Sequence, residues 1–383
     1  YDEIEKNEFF PGATELKDGV SRRDFIKIMG ASIALATASG CSIRKPVQKI
    51  RPYAKMPEDV TVGESLFYAT SFHKGDDVVG LLAECYEGRP TKIEGNPLHP
   101  QSLSKSSHIH QASVLSLYDP DRLRNSMKKS SVIEKKEVEF YFRDINRKLA
   151  NSSGKKIGVF LESKPSPTLH RLLKQLLFKY PNLKLYKYDS VNRDNITQGL
   201  FSVTGEYIVP NYNFRKADVV VSFDSDFLGT EISSLKHTRD FVSRRDPDKS
   251  SMSRFYAFES NFSITGAKAD HRFKLKSSHI EVILWKLAYR IFSHLNVPVS
   301  NEFKLGLKKG SSLPLDIPES VVDSISDDIL LASRKALLIA GPNQPPSVHA
   351  LIFVINQVLK NHGNTVGYNV LPFSQSDIVK KTS

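Results

Sequence analysis

Ala217-Asp218-Val219-Val220-Val221-Ser222-Phe223 is a near-continuous apolar run that ends in the acids Asp224 and Asp226. Strands buried on both faces have this composition, because helices cover both sides of a parallel sheet and leave no position for a polar side chain. Outward from it, strand and helix patterns alternate. Lys156 to Leu161, Leu183 to Tyr188, Arg254 to Glu259, Lys335 to Ala340 and Thr365 to Val370 read as strands. Pro167 to Tyr180, Asn192 to Val203, Ser278 to Phe292 and Ser347 to Leu359 read as helices, and Val138 to Ala150 is compatible with one. The Pro- and Ser-rich stretch from Gly310 to Pro318 reads as a loop. Repeated βα units of this spacing predict an α/β region of doubly wound, mostly parallel sheets.

Ahead of that region, over residues 64–125, the chain reads as a small β-rich N-terminal lobe. Ser65 to Thr70 is one strand, and Val78 to Tyr86 pairs with Thr91 to Glu94 across the turn Glu87-Gly88-Arg89-Pro90. Further upstream, Ser21-Arg22-Arg23-Asp24-Phe25-Ile26-Lys27 and the apolar run behind it have the pattern of a twin-arginine export signal, carried by Arg22, Arg23, Phe25 and Lys27. That run is too short and too weakly apolar for a membrane span, which needs about 20 apolar residues. Ala38-Ser39-Gly40-Cys41 resembles a lipobox, making Cys41 the expected site of lipidation and of a stable membrane anchor. The expected organisation is therefore signal and lipobox over 1–41, extended tether over 42–63, β-rich lobe over 64–125, and α/β region over 126–383, truncated at its C-terminal end.

The 383 residues carry a net charge of +12, with basic residues dispersed among acids. No continuous basic block marks a nucleic-acid partner; a solvated surface, an acidic redox partner or anionic lipid headgroups fit instead. Cys41 and Cys85 are the only cysteines, so four thiolates for an iron–sulfur cluster cannot come from this chain. Cys85, inside a strand pattern, reads as a buried, unreactive thiol.

Candidate sites are few. Asp224 and Asp226 offer paired carboxylates at the carboxyl end of the buried strand, for a ligand or a metal, or else as solvated acids that end the strand. Gly341-Pro342-Asn343-Gln344-Pro345-Pro346-Ser347 joins a strand to a helix, where phosphate or a pterin can bind; without G-x-G-x-x-G it also reads as a rigid connection or a subunit contact. His108 and His110 fall on one side of a segment read as extended, without a third ligand for zinc. No Gly-x-Ser-x-Gly elbow frames a nucleophile.

Two stretches carry a resemblance: Glu87-Gly88-Arg89-Pro90-Thr91-Lys92-Ile93-Glu94-Gly95-Asn96-Pro97-Leu98-His99-Pro100, and Tyr118-Asp119-Pro120-Asp121-Arg122-Leu123. They resemble the N-terminal region of the molybdopterin oxidoreductase family, although both are turns that a structural role explains. Catalytic members of that family supply Cys, selenocysteine, Ser or Asp to molybdenum, and the resemblance aligns no residue of Asp189 to Asn195 with that ligand. Ser190 to Ile196 with Gly199-Leu200, Ala217 to Leu228, and Gly341 to Gln344 with Val348 to Leu351, Asn356 and Asn361 to Val366 narrow the likeness. They are similar to the large iron–sulfur subunit of bacterial alternative complex III, a quinol:electron-acceptor oxidoreductase. That resemblance implies a non-catalytic scaffold part without molybdopterin, with no cofactor in this segment and iron–sulfur clusters in a downstream domain. It also implies the periplasmic face of the inner membrane, with integral quinol-oxidising subunits and multihaem cytochrome c subunits as partners. An active molybdopterin-dependent oxidoreductase and a free-standing exported binding module are the alternatives.

Overall fold

The computed structural model describes residues 57–371 except 156, 163, 165 and 249–251, preceded by Arg23, Ile26, Lys27, Met29, Gly30, Ala31, Ala54 and Lys55. The chain divides into two compact units, 1–60 and 61–383. In the first, Arg23 and Lys27 are helical and exposed. Arg22, Phe25 and Cys41 lie outside the described residues.

The second unit begins with an antiparallel sheet of β1 (Leu66–Lys74), β2 (Asp77–Tyr86) and β3 (Arg89–Gly95). Glu87 and Gly88, both at positive φ, form the two-residue turn between β2 and β3, whose twist matches the flanking strands. The two stretches of family-like sequence meet here. The Tyr118 hydroxyl donates to the Pro90 carbonyl, and the Arg89 guanidinium lies 5.0 Å from the centre of the Tyr118 ring. Asn96 Oδ1 accepts from the Leu98 amide, and Asp119 Oδ1 from the Asp121 amide, both at 2.9 Å, so these segments are turns held by their own side chains.

After α1 (His108–Ala112), the short strands β4 (Met127–Lys128) and β5 (Ser131–Val132) lead into α2 (Lys135–Ser152), β6 (Gly158–Leu161), α3 (Pro167–Lys179) and β7 (Lys184–Lys187). β6 and β7 pair in parallel, as a sheet of two strands. Then follow α4 (Asp194–Thr204), β8 (Ile208–Tyr212), β9 (Val219–Phe223), α5 (Ser234–Val242), β10 (Arg254–Glu259) and β11 (His271–Lys274). The chain continues through α6 (Ile280–His294), α7 (Asn301–Ser311), α8 (Glu319–Ala332), β12 (Ala336–Ala340), α9 (Pro346–Val358) and β13 (Val366–Val370).

The central sheet has the order β11-β10-β9-β12, all parallel. Every residue of β9 is buried, as is every residue of β12. Alternate side chains feed two cores. Val219, Val221 and Phe223 join Leu338 and the stripe Ile280, Ile283, Leu284, Leu287 and Ile291 of α6 on one face. Val220 joins Phe255, Leu337 and Ile339 on the other, under Phe241 of α5 and the rings of Phe214 and Phe227. The sheet is thus doubly wound, as its sequence predicts.

Two expectations change, and residues 301–332, where the sequence announces only a loop at Gly310–Pro318, hold two helices: α7 ends at Ser311, inside that stretch, and α8 follows it. Val322, Ile325 and Ile329 of α8 are fully buried at helical spacing, and that burial overrides the intervening serines and acids. The strand at Val366–Val370 pairs antiparallel with β8, outside the parallel sheet. His108 and His110 lie on a helix, where residues two apart point away from each other. His108 is exposed, while buried His110 accepts from the Ser107 amide through Nδ1 at 3.1 Å.

Phe255 is fully buried, with Phe227 and Phe241 edge-on at 5.5 and 5.4 Å. Phe255→Ala is expected to lower the unfolding free energy by about 3–5 kcal/mol, because the cavity cannot collapse against a parallel sheet. Urea denaturation measures it.

Candidate functional site at the carboxyl edge of the central sheet

From β9 the chain moves outward to β10 and β11, then returns through α6, α7 and α8 to β12 on the opposite side of β9. The reversal falls between β9 and β12. Open α/β sheets place their ligands outside the carboxyl ends of strands at such a point. Asp224 follows β9 and Gly341 follows β12, so two stretches singled out from the sequence meet here.

Asp224 has a left-handed backbone, φ +55°, which aspartate tolerates because its short side chain bonds locally. Its Oδ1 accepts from the Ser260 amide at 3.0 Å and the Ser260 hydroxyl at 3.1 Å. Its Oδ2 accepts from Ser277 Oγ at 3.1 Å and Gln344 Nε2 at 3.0 Å. One carboxylate thereby ties together the ends of β9 and β10, the approach to α6 and the loop before α9. Gln344 is 1% exposed, and its Oε1 has no hydrogen-bond partner.

The crevice between the strands is narrow. The Gly341 amide donates to the Phe223 carbonyl at 2.9 Å, and a Cβ at residue 341 would stand 1.9 Å from the Asp224 carbonyl oxygen. Only glycine permits that approach. Beside it, Asp226 accepts from Thr265 Oγ1 at 2.8 Å and Thr230 Oγ1 at 3.1 Å. Glu231 accepts from Ser225 Oγ at 2.9 Å and the Asp226 amide at 2.7 Å. Burial, reinforced by Asp226 and Asp224, pushes the Glu231 carboxyl up to about 7. Glu259 bonds Ser263 and pairs with Arg272.

Asp224 and Asp226 therefore do not converge on one point; each closes its own loop, and they are not merely solvated acids. No cluster of three or more His, Cys, Asp or Glu able to hold a metal occurs among the described residues. In the Gly341–Ser347 loop, α9 starts with Pro346, which has no amide to offer, and the Ser347 hydroxyl donates to Glu281 Oε1 at 2.8 Å. Of Asp189 to Asn195, Arg193 pairs with Asp76 at 3.1 Å and so fastens α4 to the N-terminal lobe. Cys85 is buried, and desolvation raises its thiol pKa, as an unreactive cysteine requires. Ser260 and Ser277 belong to the Asp224 network but lie in no motif, and only the fold brings them to it.

No family model matches the chain. The molybdopterin-binding-like subunit of menaquinone reductase from Nitratidesulfovibrio vulgaris is 27% identical over 115 residues, 29% of this chain and 16% of that protein. Among solved structures, acetylene hydratase from Pelobacter acetylenicus superposes over 79% of this chain and 43% of its own, with a TM-score of 0.51 and 11% identity. The chain thus spans less than half of either protein. The formyltransferase/hydrolase complex from Methylorubrum extorquens reaches a TM-score of 0.36 at 10% identity, over 57% of this chain and 55% of its own. The α/β fold is of the molybdopterin-enzyme-like kind that acetylene hydratase shows.

Next to the switch point, a cavity of about 10 Å³ lies among Leu200, Tyr212, His349, Asn356 and Tyr368, room for about one water. His349 donates to the Gln344 carbonyl, while its Nε2 has no protein partner. Burial holds this imidazole neutral, lowering its pKa from 6.5 to about 4. Buried His237 is lowered further, to about 3. The unfolded chain therefore takes up protons below pH 6.5 that the folded chain refuses, and acid favours unfolding. Glu231 acts oppositely: the stability from its raised pKa is complete below about 4.5 and is lost as pH rises through about 7. His349→Asn keeps a donor toward Gln344 without the titration. Between pH 7 and pH 4 the wild type is expected to lose about 3 kcal/mol more stability than this variant, measured by urea unfolding across that range.

Proposed function

We propose that this chain is the non-catalytic, molybdopterin oxidoreductase-like scaffold part of an iron–sulfur electron-transfer subunit. The subunit would serve a membrane-bound quinol:acceptor oxidoreductase of the alternative complex III kind. One observation carries the proposal: at the sheet edge where this fold offers a ligand site, Ser260, Ser277 and Gln344 each donate to Asp224, and Gln344 donates to Ser277 as well. A phosphate-bearing pterin needs free donors and a positive field. Asp224, Asp226, Glu231 and Glu259 stand at this edge instead, the first turn of α9 lacks the Pro346 amide, and Gly341 closes the gap between β9 and β12. These residues do not fit such a group, and no reaction step runs through one here.

The similarity to a menaquinone reductase subunit supports a quinone-linked setting, as does the resemblance of the sequence to a quinol-oxidising complex. In that setting Arg22, Arg23, Phe25 and Lys27 direct export of the folded protein, and acylated Cys41 anchors it at the periplasmic face. The scaffold docks a cluster-bearing domain, integral quinol-oxidising subunits and multihaem cytochromes c. Tagged full-length protein purified from its own membranes is expected to bring those subunits with it and to contain iron but no stoichiometric molybdenum. Stoichiometric molybdenum with a pterin in the purified protein would establish the active-enzyme reading instead, and isolation without membrane subunits would remove the scaffold role.

A further inference from the structure

Residues 135–190, spanning α2, β6, α3 and β7, combine sparse burial with a concentration of positive charge. Leu149, Leu173, Leu183 and Leu185 are the buried apolar side chains of this stretch among the described residues. Phe140, Tyr141, Phe142, Phe160, Phe178 and Tyr188 are exposed by 57–92%. Some of these rings lie on an open sheet face. In the parallel register Phe160 pairs with Tyr186, and Phe160 stacks on Tyr188 at 6.4 Å, so one side of β6–β7 shows a row of rings. Parallel sheets ordinarily have both faces covered.

The charge is equally uneven. This stretch holds thirteen Lys and Arg against five Asp and Glu, an excess of eight in a chain whose total is +12. The basic residues look dispersed along the whole sequence, yet most of the net charge belongs to this one lobe. The acids of α2 are already paired, Glu137 with Lys128, Glu139 with Lys135, and Asp144 with Arg147 and Lys148. Lys136, Arg143, Lys155, Arg171, Lys184 and Lys187 are exposed and have no ion-pair partner among the described residues.

We propose that this lobe is a peripheral membrane-binding surface for anionic phospholipids, its cations in the headgroup layer and its exposed rings at the boundary with the acyl chains. Charge complementarity selects the partner. Ten of the thirteen cations are lysines, which protein interfaces disfavour and anionic headgroups attract, and phenylalanine and tyrosine rings are suited to the lipid interface. No helix among the described residues is long and apolar enough to cross a membrane. A basic, aromatic surface adds a salt-sensitive contact with the headgroups beside any lipid anchor.

The test uses the full chain with Cys41→Ser, so that acylation plays no part and its failure is separable from that of the anchor. Sedimentation with vesicles containing about one-quarter phosphatidylglycerol in phosphatidylcholine is expected to show binding that weakens as salt rises, with little binding to phosphatidylcholine alone. Joint Lys136→Glu, Lys155→Glu, Lys184→Glu and Lys187→Glu substitution should weaken that binding at least about tenfold. Phe178→Ser, at a side chain 92% exposed, should weaken it with the thermal midpoint unchanged. A Lys→Gln version of the same set, expected to lose less, covers the case in which charge reversal unfolds the lobe. Absence of binding to the anionic vesicles, equal binding to both vesicle types, or unchanged binding by the folded charge variants overturns the proposal. The first of these outcomes would leave an acidic protein as the partner of the lobe.

Discussion

The Asp224 carboxylate, placed at the carboxyl end of β9 by a left-handed residue, is the constraint on which the sheet edge depends. It receives hydrogen bonds from Ser260, Ser277 and Gln344, three groups that follow β10, precede α6 and precede α9. A charged acceptor removed from much of its water must find such donors or remain uncompensated. Those loops are consequently held by one side chain. Gly341 makes this possible, because its missing Cβ lets the β12 loop lie directly against the Asp224 backbone.

The same geometry separates architecture from chemistry. A doubly wound sheet with a reversal between β9 and β12 offers a place for a ligand, and this chain fills it with its own polar groups. The neighbouring carboxylates follow the same pattern: Gly229 passes under Asp226 and Gly266 under Glu259, each so close that a Cβ would fall within 2.3 Å of a carboxylate oxygen. Each of these acids closes a loop.

Much of the sheet was legible because its residues obey one rule at a time. Val219 to Phe223 and Ala336 to Ala340 are apolar throughout and are buried throughout. Glu87-Gly88 marks its turn through backbone conformation alone. Elsewhere tertiary structure decides. His108-Ile109-His110 alternates like a strand, but Ser107 and His110 cap a helix there. His271 to Lys274 has only one apolar residue and forms an edge strand because β10 offers it a ladder. The Asp224–Gln344 contact joins residues 120 apart, and no local pattern announces it. The acids at 224 and 226 were visible as a pair, yet only the fold reveals that they face different loops.

A double-mutant cycle between Asp224→Asn and Gln344→Leu, read as unfolding free energy in urea, tests the internal clasp most directly. Asparagine keeps the tolerance for a left-handed backbone while removing the charge, so the cycle isolates the side-chain contact. If the sheet edge is a structural clasp, each variant destabilises the chain by about 1–3 kcal/mol, and the pair shows a coupling above about 0.5 kcal/mol. Additive effects, or a gain in stability from either variant as at sites kept strained for ligand binding, would contradict that account.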